Sequence, residues 1–160
     1  AQGGTGANQS GSGGSDFHQV AYDPGADPET VRARIAQFAE ENLGNTDYAF
    51  ENRKGEFGPR TWKCNCFVRD AIEAGGGRAP MLPGGKWPIQ ANSWANADLK
   101  IPGWKVVSNP LPGDIAAFPR VGDPGHVGIF VGGFGRTVIG AGVSGVGYSN
   151  SHLLVQMGFE

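Results

Sequence analysis

The sequence predicts an α+β fold, with helices packed on a small antiparallel sheet. Three observations predict it. Segments with 3.6-residue apolar spacing occupy the first half of the chain, and segments alternating with period two occupy the last third. Helices that precede strands, rather than alternating with them, lie on one side of a sheet. The 28 glycines and 11 prolines among 160 residues favour short strands and turns over a helical bundle.

The elements follow in order. Residues 1–15, AQGGTGANQSGSGGS, form a low-complexity leader or linker, and residues 16–160 form a single domain. The first helix is DPETVRARIAQFAEENLG. Asp27 suits its N-cap, Pro28 its first turn and Glu29 the positive end of its dipole. Val31, Ile35, Phe38 and Ala39 give it one apolar stripe, and Gly44 ends it. Residues 45–62 read as loop, carrying Tyr48, Phe50, Phe57 and Trp62. A second helix runs from Asn65 to Ala74 and stops at Gly75-Gly76-Gly77. Residues 78–110, rich in Pro, Gly and Trp, read as a surface wall with one short helix near Gln90–Ala97. The expected antiparallel strands are IAAF (115–118), HVGIFV (126–131), RTVIGA (136–141) and LLVQM (153–157), joined by glycine-rich turns.

Several function classes drop out on composition. A net charge of −2 offers no field for nucleic acid or an anionic membrane. No apolar run approaches the roughly 20 residues of a membrane helix. The N-terminus lacks the basic-then-apolar order of a signal peptide. GAGVSG (140–145) matches G-x-G-x-x-G, but no helix and βαβ unit follow, so it reads as a glycine-rich loop. No paired-carboxylate signature for sugar-bond hydrolysis is present.

The two cysteines, Cys64 and Cys66, stand two positions apart in TWKCNCFVRD. That spacing closes too small a ring for an easy disulfide. A zinc site built from Cys64, Cys66 and His126 lacks a fourth ligand, so no metal is expected. At helical spacing Cys64 shares a face with Phe67, Val68, Ala71 and Ile72, whereas Cys66 falls on the opposite side with Arg69, Asp70 and Glu73. Cys64 thus points inward at a helix N-terminus, where the dipole and unpaired N–H groups stabilise a thiolate or an oxyanion. A small buried hydrophobe is the other reading of this position. Of the three histidines, His18 and His152 lie near the ends. His126 opens a strand on the face it shares with Gly128, which leaves a gap for a helix to approach.

Three motifs in order, KCNCFVRDAIEAGG, PLPGDIAAF and GHVGIFVGG, resemble those of the NlpC/P60 superfamily of papain-like cysteine peptidases and the neighbouring CHAP amidases. The resemblance spans about residues 46–145. It implies a papain-like α+β fold with Cys64 as nucleophile and His126 as base. It departs from the usual pattern at Lys63, Asn65 and Cys66, where Asp, Ser and Gly are common, which makes Cys66 a bystander. The third polar residue of such sites lies on the next strand. A hairpin around GGFG sets His126 across from Gly140 or Ala141, so the Gly140 backbone, Ser144, Asn150 or Asp114 is left to orient the imidazole. Asp114 also fits a purely structural part in the Pro-Gly-Asp turn. Trp62, Trp87, Trp94 and Tyr48 suit the walls of a substrate groove.

The expected function is a cysteine amidase or endopeptidase cutting peptide bonds of bacterial peptidoglycan, with no cofactor. A catalytically silent cell-wall-binding module and an acyltransferase using the same Cys–His pair are the alternatives. The expected location is secreted, periplasmic or at the cell wall. As an antibacterial effector the protein would also meet an immunity protein or a secretion-system carrier, besides peptidoglycan itself.

Overall fold

A computed structural model describes residues 26–120, 122, 125–133, 137–149 and, for the main chain alone, 155–159. The leader 1–15, His18, Asn150 and His152 lie outside the described residues.

Helix α1, Pro28–Glu41, begins where the capping chemistry predicts: the Asp27 carboxylate accepts the Thr30 N–H at 2.8 Å. Its Val31, Ile35 and Ala39 are buried. Helix α2, Cys64–Ala74, starts one residue earlier than expected and buries Phe67, Val68, Ala71 and Ile72. The two helices meet through Phe38 and Phe67, with ring centroids 5.8 Å apart. A four-residue helix α3, Ala91–Trp94, falls inside the expected short helix.

The described strands form one antiparallel sheet: β1 Trp104–Val106, β2 Ile115–Phe118, β3 His126–Phe130, β4 Val138–Gly142, β5 Gly145–Ser149 and β6 Val155–Phe159. Their order is β1-β6-β2-β3-β4-β5. Val127, Ile129, Ile139 and Ala141 turn one face of the sheet into the core shared with α1 and α2. The fold is α+β, as the element order predicts.

Four expectations change. The glycine-rich stretch 140–145 is no loop but the β4–β5 hairpin, in which Gly140 pairs with Gly147. Alternating glycines give a strand no side-chain signal, so β5 was invisible to period-two reading. The segment 78–110 is not only a surface wall. Trp94 and Trp104 are 2% exposed and pack edge to face at 5.1 Å, and β1 lies within the segment. The last strand lies two residues further on than LLVQM. Finally, no helix fills the gap at Gly128. A Cβ there would come within 2.7 Å of the Ile139 carbonyl oxygen and Val138 Cγ1, so glycine serves the close approach of β3 to β4.

Candidate active site

Cys64 and His126 reach one place from different elements. Cys64 is the first residue of α2, and His126 the first of β3. Both line a cavity of about 920 Å³ that opens to solvent between the 57–65 segment, the 82–91 segment and the sheet. This is room for several residues of a peptide. Exposed Trp62 and Trp87 flank it, braced by Phe50 at 4.5 Å and Phe57 at 5.2 Å respectively. Of the four expected groove aromatics, Trp62 and Trp87 line the cavity and the other two do not. Trp94 is core, and Tyr48 is buried under α2 with its hydroxyl donating to Asp70 Oδ2 at 2.6 Å.

The start of α2 is fastened on both sides. Lys63, its N-cap, is 1% exposed. Its Nζ donates to the carbonyls of Ala49 (3.1 Å), Phe50 (3.3 Å) and Thr61 (2.9 Å) and to Thr61 Oγ1 (3.2 Å). The ammonium thereby pins both ends of the loop that carries Trp62. On the other side Asn65 Nδ2 donates to the Ile89 carbonyl at 3.3 Å, tying the helix to the opposite wall.

Sγ of Cys64 is nearly closed off from solvent, and burial pushes its pKa up. Hydrogen bonding from the main chain at Val127, Asn65 and Cys64 itself works the other way, as does the charge of Arg120. The direction is opposite to the sequence expectation of a thiol shifted towards thiolate by the helix terminus: desolvation outweighs the main-chain hydrogen bonds there. His126 is held below its ordinary 6.5, first by burial and then by Arg120. Burial thus favours the uncharged form of both the thiol and the imidazole.

Cys66 behaves differently. It is fully buried, with Arg69 Nη2 3.6 Å and Asp70 Oδ2 4.0 Å from its sulfur, and burial with the Asp70 charge pushes it up to about 12. The side of α2 that looked solvent-facing is covered by the 45–62 loop, so Cys66 is no surface residue. It does not line the cavity.

The groups considered for orienting His126 separate clearly. Phe118 pairs with His126 and Ile115 with Ile129, so Asp114 sits at the far end of the β2–β3 pair. There its Oδ2 accepts the Leu111 N–H at 2.8 Å, which is the turn-building part. Ser144 lies exposed in the β4–β5 turn. Asn150 is outside the described residues. Gly140 is the position against the imidazole: a Cβ added there would stand 3.2 Å from His126 Nε2 and 3.2 Å from the Val127 carbonyl oxygen.

Two residues that sequence reading did not single out complete the surroundings. Arg120 lines the cavity, two residues beyond β2. Asn92 wedges into the turn that joins β2 to β3. Its Oδ1 accepts the Arg120 N–H at 3.4 Å and lies where a side chain at Gly125 would collide. Gly125 has φ +84°, which glycine adopts without strain. No local pattern marks an Asn in a four-residue helix as the clamp of a distant turn. Among the described residues no group of acidic, His and Cys side chains is arranged to hold a metal ion.

No curated protein matches the chain. The family model described as the CHAP domain matches residues 54–141, more than half of the chain and the stretch that carries Cys64, Arg120 and His126. With helix-borne Cys64 and strand-borne His126 at one cleft, the chain belongs to the CHAP domain family, papain-like cysteine peptidase and amidase domains related to NlpC/P60 and associated with peptidoglycan hydrolysis.

Proposed function

We propose that the protein is a cysteine amidase or endopeptidase that cleaves peptide bonds of peptidoglycan stem peptides or cross-links, with Cys64 as nucleophile and His126 as general base. One observation carries this reading: Cys64, first residue of α2, and His126, first residue of β3, line one cavity together with Trp62 and Trp87.

Burial, which favours thiol over thiolate and imidazole over imidazolium, fits a proton transfer that accompanies attack. His126 takes the thiol proton as Sγ attacks the peptide carbonyl, so charge develops during attack instead of beforehand. Negative charge then grows on the carbonyl oxygen. The free N–H groups at the start of α2, that of Cys64 among them, are the donors for it. Imidazolium next gives its proton to the leaving amine, the C–N bond breaks, and an acyl-thioester remains on Cys64. Water, deprotonated by His126, attacks the thioester; the C–S bond breaks, and thiol and product carboxylate are restored. None of these steps calls for a metal or cofactor.

The wall as substrate puts the work of the protein outside the cytoplasm. In an antibacterial effector this chemistry would lyse a host only after delivery to the periplasm, and an immunity protein would have to close the Trp62–Trp87 cleft. The deciding experiment is mass spectrometry of muropeptides after digestion of purified peptidoglycan with the protein and with Cys64→Ala. New peptide ends with the first and none with the second are expected. An unchanged muropeptide profile with the wild-type protein would sink the reading in favour of a binding module.

A further inference from the structure

We propose that Arg120 is a specificity-determining residue of the cleft and takes a carboxylate of an anionic peptide substrate beside the bond that is cut. The inference rests on the peptidase reading above and adds to it the charge of the preferred substrate.

Its first support is the make-up of the walls. Among the described residues lining the cavity, Arg120 is the only permanently charged side chain; the rest are apolar, aromatic or neutral polar. A single fixed cation in such a cleft selects for a single anion. Guanidinium matches carboxylate in shape and can hold it through two parallel hydrogen bonds. A carboxamide in the same place offers one acceptor, two donors and no charge, so it loses most of that interaction.

Its second support is placement. Phe118 pairs with His126, so the turn between β2 and β3 sets Arg120 at the same end of the sheet as the imidazole. Asn92 holds the two ends of that turn, accepting from the Arg120 N–H and packing against Gly125. The cation is thus anchored through its main chain while its exposed side chain is left to reach substrate. Among the described residues no carboxylate pairs with it. Its field reaches both Cys64 and His126, which puts a bound carboxylate within the neighbourhood of the reacting atoms.

A stem peptide carries several carboxylates, any of which can be converted to a carboxamide without changing its size. The test uses synthetic stem peptides in which each carboxylate in turn is amidated, assayed with the wild-type protein, Arg120→Gln and Arg120→Lys. For one position, wild-type kcat/KM should fall about 10- to 100-fold on amidation, the scale of a charge-assisted pair. In Arg120→Gln the ratio between the two forms should shrink towards one, and in Arg120→Lys it should be partly kept. Cleavage of every amidated peptide at the wild-type rate overturns the inference and leaves the peptidase reading standing. So does an Arg120→Gln variant that slows acid and amide forms by the same factor, because the charge would then act on thiol and imidazole alone. Failure to cleave any of the peptides or whole peptidoglycan overturns the peptidase reading and this inference together.

Discussion

The ammonium of Lys63 stands 3.1 Å from the main-chain carbonyl of Ala49, fully inside the protein and with no carboxylate at hydrogen-bonding distance among its described partners. A buried cation held by three carbonyls and one hydroxyl, with no carboxylate among these partners, is an uncommon arrangement, and here it stands next to the proposed nucleophile. Lys63→Met leaves the carbonyls of Ala49, Phe50 and Thr61 without their donor. The expected loss is about 1–3 kcal/mol in urea unfolding, with a higher KM as the Trp62 wall loosens. An unchanged unfolding midpoint would show that water replaces the ammonium at no cost.

The two thiols should behave unequally. Cys64→Ala should abolish hydrolysis. Cys66→Ala should keep most activity and cost roughly 1–2 kcal/mol through the small void it leaves. Iodoacetamide should modify Cys64 first because only that sulfur borders the cavity. Peptide mapping that finds Cys66 alkylated at the same rate contradicts this.

Activity should persist into mildly acid solution. The base must be neutral, and burial together with Arg120 holds His126 below 6.5, so its neutral form survives to lower pH than in a free imidazole. The acid limb of kcat/KM should therefore have its midpoint below pH 6.5 and move upward in Arg120→Gln. A wild-type midpoint at or above 6.5 would contradict the buried, Arg-flanked setting.

Glu73 should make stability depend on pH. Burial pushes its carboxyl up to about 7 despite the opposing Arg69, with Asp70 and Glu56 adding to the rise. The folded protein binds this proton more tightly than the unfolded chain, whose value is near 4.5. The contribution is complete below about pH 4.5 and is lost as pH rises through about 7. Glu73→Gln should consequently raise the unfolding free energy at pH 8 by on the order of 1–3 kcal/mol, seen as a higher Tm, and change both little at pH 4.5. Equal effects at both values would point to packing instead of titration.

The imidazole should tolerate little at residue 140. Gly140→Ala sets a methyl 3.2 Å from His126 Nε2 and from the Val127 carbonyl oxygen, which displaces the ring by a few tenths of an ångström. A drop of about tenfold in kcat with KM nearly constant is expected, the signature of a displaced base rather than a blocked cleft. Ser144→Ala should leave kcat unchanged, and Asp114→Ala should lower Tm through the lost Leu111 bond. Loss of kcat in Ser144→Ala equal to that in His126→Ala would restore a side-chain partner for the ring.

How much of this was legible in the sequence follows from how local each signal is. Asp27, Pro28 and the Val31–Ile35–Ala39 stripe encode α1 within a few residues, and the structure returns it nearly unchanged. The helical phase that aims Cys64 at the sheet is local too. What the phase could not reveal is the second burial of α2: Cys66 is covered by the loop that carries Tyr48, and Lys63 ties that loop down through a contact spanning 14 residues. Strand β5 has glycine or small residues at most positions, so its pairing depends on β4 and leaves no alternation to read. The depressed base and the raised thiol are products of desolvation, a property of the assembled cleft and not of a motif.

Strand β6 lies between β1 and β2 although it is the last described element of the chain. Until Val155–Phe159 has been synthesised and docked, β2 has only β3 beside it and β1 has no partner. A nascent chain that already contains Cys64, Arg120 and His126 therefore still carries two open sheet edges, prone to pairing with other chains. The sheet behind the proposed catalytic pair is completed only once Val155–Phe159 is in place, so ribosome stalling or proteolytic trimming ahead of residue 155 would release an aggregation-prone intermediate instead of a working hydrolase.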